Sequence, residues 1–222
     1  MLKTLISPIL QRLARWYLAK ERTYHYEGLK IQIPPGVFHP GLFFSTHILL
    51  RRLLLEKPVG KSILELGAGS GLISMVIAKA GSNVLATDIN PLAIENLKRN
   101  AASNQVILEI LESDLFDNIP TERHFDYILI NPPFYPKAPK SMAGRAWYCG
   151  ENFEYFEKLF QQLQKERACQ IWMILSEDCD LYKISKLAEK NNLKLKLIHG
   201  ETNFWERNSI FSILKDFNPG NS

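Results

Sequence analysis

The sequence predicts an α/β fold: a seven-stranded, mostly parallel sheet with helices on both faces, closed at its C-terminal end by an antiparallel strand pair. Three observations carry this. From Ser62 onward, apolar strand-like runs alternate with helical periodicities. A glycine-rich turn, Gly67-Ala68-Gly69-Ser70-Gly71, joins the first of these strands to a helix. The last two strand-like runs, 193–199 and 209–214, have no helix between them, which requires an antiparallel pairing.

In chain order, Ser7-Pro8 reads as the start of an amphipathic helix with Ile9, Leu13, Trp16 and Tyr17 on its apolar stripe. That stripe packs on the main body, or else Arg12, Arg15, Lys20 and Arg22 face a substrate phosphate or an anionic surface. Residues 29–33 alternate as a short strand, Pro34-Pro35-Gly36 breaks it, and 37–44 form an extended arm. Ser45 or Thr46 then caps a helix over 48–56, leaving helix-start N–H groups for a carboxylate. Strands follow near 62–66, 83–87, 106–111, 125–130 and 170–175, with helices near 71–80, 91–103, 152–166 and 180–190. This gives an N-terminal extension over 1–35 and one domain over 36–222, with 218–222 frayed.

The charge balance, 27 Lys+Arg against 23 Asp+Glu, is mildly basic, but the cations are spread rather than massed as a nucleic-acid footprint demands. Cys149, Cys169 and Cys179 lack the spacing of a zinc site, so free thiols in a reducing, cytoplasmic compartment are expected and no metal is. No apolar run approaches the roughly 20 residues that cross a bilayer. The acid-free N-terminus up to Glu21 fits a structural helix better than a targeting peptide, because Pro8 and the scarcity of serine argue against the latter.

The glycine turn lets the chain reverse tightly, admits a ligand against its backbone and presents the next helix's positive end. Its spacing is G-x-G-x-G rather than G-x-G-x-x-G, and Glu65 stands just before it. Glu65 either accepts the turn's N–H groups or balances a cationic ligand such as the sulfonium S-adenosylmethionine. Asp88, at the end of the second strand, is placed to accept ribose hydroxyls. Asp114, after the third, is placed to accept from an adenine amino group, with Ile89 or Leu115 packed on the ring.

The buried run 125–130 delivers Asn131-Pro132-Pro133-Phe134 to the same edge. Two prolines stiffen that segment. An amide or exocyclic amino nitrogen becomes nucleophilic only as its lone pair localises. The Asn131 side-chain oxygen and the Pro132 carbonyl can accept its two N–H bonds and favour that change. Phe134 offers a face for the flat group. Lys137, Lys140 and Arg145 follow on a loop placed to meet the substrate. Phe204-Trp205 and Trp147-Tyr148 either stack a base or are buried, and the scattered His39, His47, His124 and His199 read as ordinary positions.

These motifs resemble the class I S-adenosylmethionine-dependent methyltransferases, in the branch with an N-P-P-[YF] motif: release factor glutamine methyltransferases, small-domain ribosomal RNA guanine-N2 methyltransferases and adenine-N6 methyltransferases. The resemblance covers 37–214 and implies a Rossmann-like fold. It implies that Gly67, Gly69, Asp88 and Asp114 bind cofactor while Asn131 and Pro132 hold the acceptor nitrogen. The full expected set is Thr46, Glu65, Gly67, Ala68, Gly69, Gly71, Asp88, Ile89, Asp114, Leu115 and Asn131 for S-adenosyl-L-methionine, with Asn131, Pro132 and Phe134 for catalysis. The segment 146–152 is similar to that of the glutamine methyltransferases, which implies a protein glutamine as acceptor and a partner such as a translation release factor. Phe134 in place of the usual tyrosine, Cys149 in place of a glycine and the uncharged His39-Pro40-Gly41 arm depart from that pattern. The runner-up acceptor is an adenine or guanine base in RNA or DNA. A different class, a NAD- or flavin-dependent oxidoreductase, shares the glycine turn and Asp88.

Overall fold

The computed structural model describes residues 17–166, 169–202 and 206–215. The expected N-terminal helix up to Trp16, the Phe204-Trp205 pair and the frayed end at 218–222 lie outside the described residues.

A two-stranded antiparallel hairpin, β1 (Arg22–Tyr26) and β2 (Leu29–Ile33), precedes helix α1 (Phe44–Leu54). The alternation then runs β3 (Ser62–Leu66), α2 (Leu72–Lys79), β4 (Asn83–Asp88), α3 (Pro91–Ser103), β5 (Glu109–Glu112) and β6 (Tyr127–Ile130). It ends with α4 (Glu154–Leu163), β7 (Gln170–Ser176), α5 (Leu181–Lys190), β8 (Leu193–Thr202) and β9 (Arg207–Lys215). The seven-stranded sheet has the order β5-β4-β3-β6-β7-β9-β8, parallel except where β9 pairs antiparallel with both neighbours. The expected fold class is the one observed.

Both faces of the central strands are covered, which is why they read as near-continuous apolar runs. Alternate side chains go to opposite faces. Ile63 and Leu129 join a core with α1, α2 and α3, while Leu64, Ile128 and Ile130 join a second core with α4 and α5. Parallel register then aligns the strand ends. Leu66 pairs with both Thr87 and Ile130, so Gly67, Asp88 and Asn131 emerge together at one carboxyl edge.

Several boundaries differ from expectation. α1 begins at Phe44, four residues before the expected 48, so Ser45 and Thr46 lie inside its first turn; its N-cap is Phe43, with no side-chain cap bond. Their hydroxyls are engaged across the cleft instead, as described below. β1 was not anticipated, because its alternating half-buried residues carry little apolar signal. β5 starts at Glu109 rather than 106, since the Val106 N–H bonds back to the Ala101 carbonyl at the end of α3.

The hairpin is not a loose extension, because Leu29, Ile31 and Ile33 are buried in the first core. Its outer edge is closed by two asparagines of α3, four residues apart and hence on one helix face. Asn100 accepts from the Gln32 N–H at 2.9 Å and donates to the Gln32 carbonyl at 2.8 Å. Asn104 does the same for Lys30, at 2.8 and 2.9 Å. The side-chain amides thus stand in for a neighbouring strand. Asn100 is fully buried, so Asn100→Ala strands two backbone groups of β2 and is expected to cost about 2 kcal/mol. In a thermal melt that is a fall of roughly 4–8 °C, with a smaller fall for the more exposed Asn104→Ala.

Candidate active site

The carboxyl edge opens into a cavity of about 620 Å³, in the range of small-molecule sites. Its walls include the 36–38 arm, the start of α1, the turn after β3, the end of β4, the 113–115 segment, Asn131 with the loop that follows it, and α4.

The turn is built by backbone geometry. Gly67, Gly69 and Gly71 have φ of 72°, 54° and 79°, a region that side chains oppose. Gly71 has a second constraint: a Cβ there would sit 2.0 Å from Leu97 Cδ1 of α3. A side chain at 71 must displace that Leu97 side chain. Gly67, Ala68 and Gly69 line the cavity, whereas Gly71 does not. Sequence reasoning placed Gly71 with the ligand-binding residues; the structure places it at the helix–helix contact that holds the turn.

Two carboxylates face this cavity without a cation. Glu65 is buried, and its Oε2 accepts from the Ser74 N–H at 2.9 Å and from the Ser74 hydroxyl. Burial pushes its pKa up to about 7, against the opposing effect of the Ser74 bonds, and the nearby Asp88 charge adds to the rise. Asp88 accepts the Gly69 N–H and the Asn90 N–H, both at 2.8 Å, and burial raises its pKa as well. Among the described residues neither has an ion-pair partner. Lys158 and Arg145 also line the cavity but form no ion pair with either acid, and such a recess suits a ligand carrying positive charge.

Asp114 differs: its Oδ2 is paired with Lys158 Nζ of α4 at 2.7 Å, and Lys158 also reaches Asp117. Its other oxygen remains for a hydrogen-bonding ligand, and Asp114, Ile89 and Leu115 all line the cavity. Leu115 holds a φ of 56°, uncommon for a bulky side chain, and the Ser113 hydroxyl donates to its carbonyl at 2.8 Å. Tyr155 and Lys158, three residues apart on α4, line the same region and were not anticipated. Their only sequence signal is that shared face.

The opposite side carries Asn131, Pro132 and Phe134. Asn131 Nδ2 donates to Ser45 Oγ at 3.2 Å and to Thr46 Oγ1 at 3.3 Å. Phe134 packs on Tyr135 at a ring separation of 4.6 Å. The loop beyond is pinned to that strand end, with the Tyr135 N–H on the Trp147 carbonyl and the Cys149 N–H on the Tyr135 carbonyl. Trp147 clusters with Phe43 at 4.9 Å and Phe38 at 5.5 Å, and all three line the cavity. Arg145 reaches the cavity, while Lys137 lies over the Tyr148 ring and Lys140 stays exposed.

A family model described as the methyltransferase small domain matches residues 28–146, from β2 to the loop after Asn131. The chain belongs to that family. It is 41% identical over 111 residues to a candidate protein N5-glutamine methyltransferase of Methanocaldococcus jannaschii, covering 50% of this chain and 53% of that one. It is 32% identical over 153 residues to ribosomal RNA small subunit methyltransferase C of Vibrio cholerae, covering 67% of this chain and 43% of that one. The chain thus spans about half the length of the curated relatives it matches. In fold it is similar to the E. cuniculi Mtq2–Trm112 complex, responsible for methylation of the eRF1 termination factor, with a TM-score of 0.62, 19% identity, and coverage of 81% of this chain and 99% of that one.

The Glu65 environment generates a pH dependence. A bound cation favours the ionised carboxylate, so below pH 7 a proton must leave before it binds. Affinity for S-adenosylmethionine, measured by calorimetry, is therefore expected to fall as pH is lowered from 8 to 6, approaching about tenfold per unit below 7. Glu65→Gln should flatten that dependence.

Proposed function

We propose that this methyltransferase moves a methyl group from S-adenosylmethionine to a planar nitrogen, and that its acceptor is the side-chain amide of a protein glutamine. One observation carries the reading: Asn131 and Pro132 face the same cavity as the glycine turn and the two carboxylates that lack a cation. Glu65, Asp88 and the turn amides would hold the cofactor, with Asp114 and Leu115 at its adenine. S-adenosylmethionine supplies the methyl: as the N–C bond forms the C–S bond breaks, sulfur keeps that electron pair, and the extra proton on nitrogen passes to solvent.

The chain's own contribution is orientation and charge placement. A delocalised amide nitrogen gains positive charge as it attacks, and two carbonyl oxygens accepting its N–H bonds favour that change over the ground state. No strong base is needed, because the methylated nitrogen is acidic. The prolines keep the Pro132 carbonyl where the acceptor needs it.

Support for glutamine comes from the 146–152 segment and from the name carried by the M. jannaschii relative. A second reading, a base in RNA, has its own observation in the Phe38, Phe43 and Trp147 cluster, which offers aromatic faces to a displaced base. An oxidoreductase using a dinucleotide is disfavoured, since Glu65, just before the glycine turn, would meet a pyrophosphate with like charge.

The test is transfer of labelled methyl from S-adenosylmethionine into an extract of cells lacking the enzyme. Label that survives nuclease and is lost to protease supports glutamine; the opposite pattern selects the base. Asn131→Ala is expected to lower incorporation by about 10²-fold or more, in keeping with the loss of a group that stabilises developing charge.

A further inference from the structure

We infer that Ser45 and Thr46 are positioning residues: their hydroxyls hold the Asn131 amide at the cavity wall, where it meets the acceptor nitrogen. The inference rests on the acceptor reading above, and it moves Thr46 from the expected cofactor set to the support of Asn131, with Ser45 beside it.

An asparagine side chain turns about two single bonds, and a small displacement of its amide from the acceptor costs much of its effect. Pro132 is fixed by its ring, but nothing in the covalent structure of Asn131 fixes where its amide stands. The two hydroxyls do, since each both donates and accepts and so grips the amide at the cavity wall. Nδ2 is 3.2 Å from Ser45 Oγ and 3.3 Å from Thr46 Oγ1, and Oδ1 has no hydrogen-bond partner among the described residues. An amide NH₂ has two diverging hydrogens. Consecutive helical residues sit about 100° apart around the axis, so two adjacent hydroxyls can reach both from different sides.

The local structure suits this role. Ser45 and Thr46 occupy the first turn of α1, where hydroxyls ordinarily cap the helix, yet no side-chain cap bond is made there. Thr46 is buried and both line the cavity. α1 packs through Ile48, Leu49, Leu50 and Leu53, so the hydroxyls stand on a fixed platform some 85 residues away in sequence from the amide they hold.

A role in orienting Asn131 separates from a role in binding cofactor. The double variant Ser45→Ala/Thr46→Val keeps volume and removes both acceptors. At saturating S-adenosylmethionine, its initial rate of labelled-methyl incorporation into the extract is expected to fall about 10- to 100-fold, the range for a misplaced catalytic group. Calorimetric affinity for S-adenosylhomocysteine is expected to change by less than about threefold, because less than one hydrogen bond's worth of binding is lost. The conservative pair Ser45→Thr/Thr46→Ser retains the rate. Should the double variant fail to fold, Thr46→Val alone carries the same comparison.

An unchanged rate overturns the inference, and so does a loss that appears only as weaker S-adenosylhomocysteine binding and recovers at saturating cofactor. Full activity in Asn131→Ala would instead sink the acceptor reading itself. Inactive Asn131→Ala beside a fully active hydroxyl variant sinks only the positioning role.

Discussion

Burying a carboxylate without a cation beside it is the constraint around which this molecule is arranged. Glu65 and Asp88 end adjacent parallel strands, and the cavity they line supplies no positive side chain to either. They are held by hydrogen bonds from Ser74, Gly69 and Asn90, which keep them in place without neutralising them. Asp114, on the same edge, does have its cation in Lys158. The contrast divides the cavity into a part poised for positive charge and a part already balanced. A ligand with a charged head and a neutral, hydrogen-bonding base matches that division.

The parallel register brings the acceptor groups to the same place. In a parallel sheet every strand ends at one edge, so a turn after β3 and a rigid segment after β6 become neighbours although more than 60 residues separate Gly67 from Asn131. Chemistry then depends on how stiffly each group is held. Prolines fix the carbonyl of Pro132, and the contact of Gly71 with Leu97 fixes the turn. The Tyr135, Trp147 and Cys149 backbone bonds tie the covering loop to the strand that bears Asn131.

Much of this was legible in the sequence, for a definable reason. Apolar runs such as 63–66 and 127–130 announce buried strands, glycine spacing announces a turn, and the order of strands and helices leaves few topologies. Thr46, Glu65, Gly67, Ala68, Gly69, Asp88, Ile89, Asp114, Leu115, Asn131, Pro132 and Phe134 all meet in one cavity. What escaped depends on contacts between distant side chains. No local pattern says that Lys158 rather than another lysine reaches Asp114, that Asn100 and Asn104 close the edge of β2, or that Gly71 serves packing. The start of α1 was misplaced because Ser45 and Thr46 look like caps, and only the fold reveals a different partner for their hydroxyls.

Under the proposed function, protein and RNA acceptors would make the same demand on Asn131 and Pro132, so the choice between them would fall to the mouth. Continuous nucleic acid needs several phosphates neutralised along its path. Here the mouth carries both signs: Arg145 lines it, but so do Glu151 and Glu154, and Lys137 is drawn over the Tyr148 ring. A phosphate chain crossing this rim would meet acids as well as cations. A peptide strand meets no such obstacle, since it can present one flat amide past Phe134 while its backbone pairs with either sign. The mixed charge of the rim is thus a further support for the proposed protein acceptor, with the aromatic faces able to serve an amide plane as well as a base.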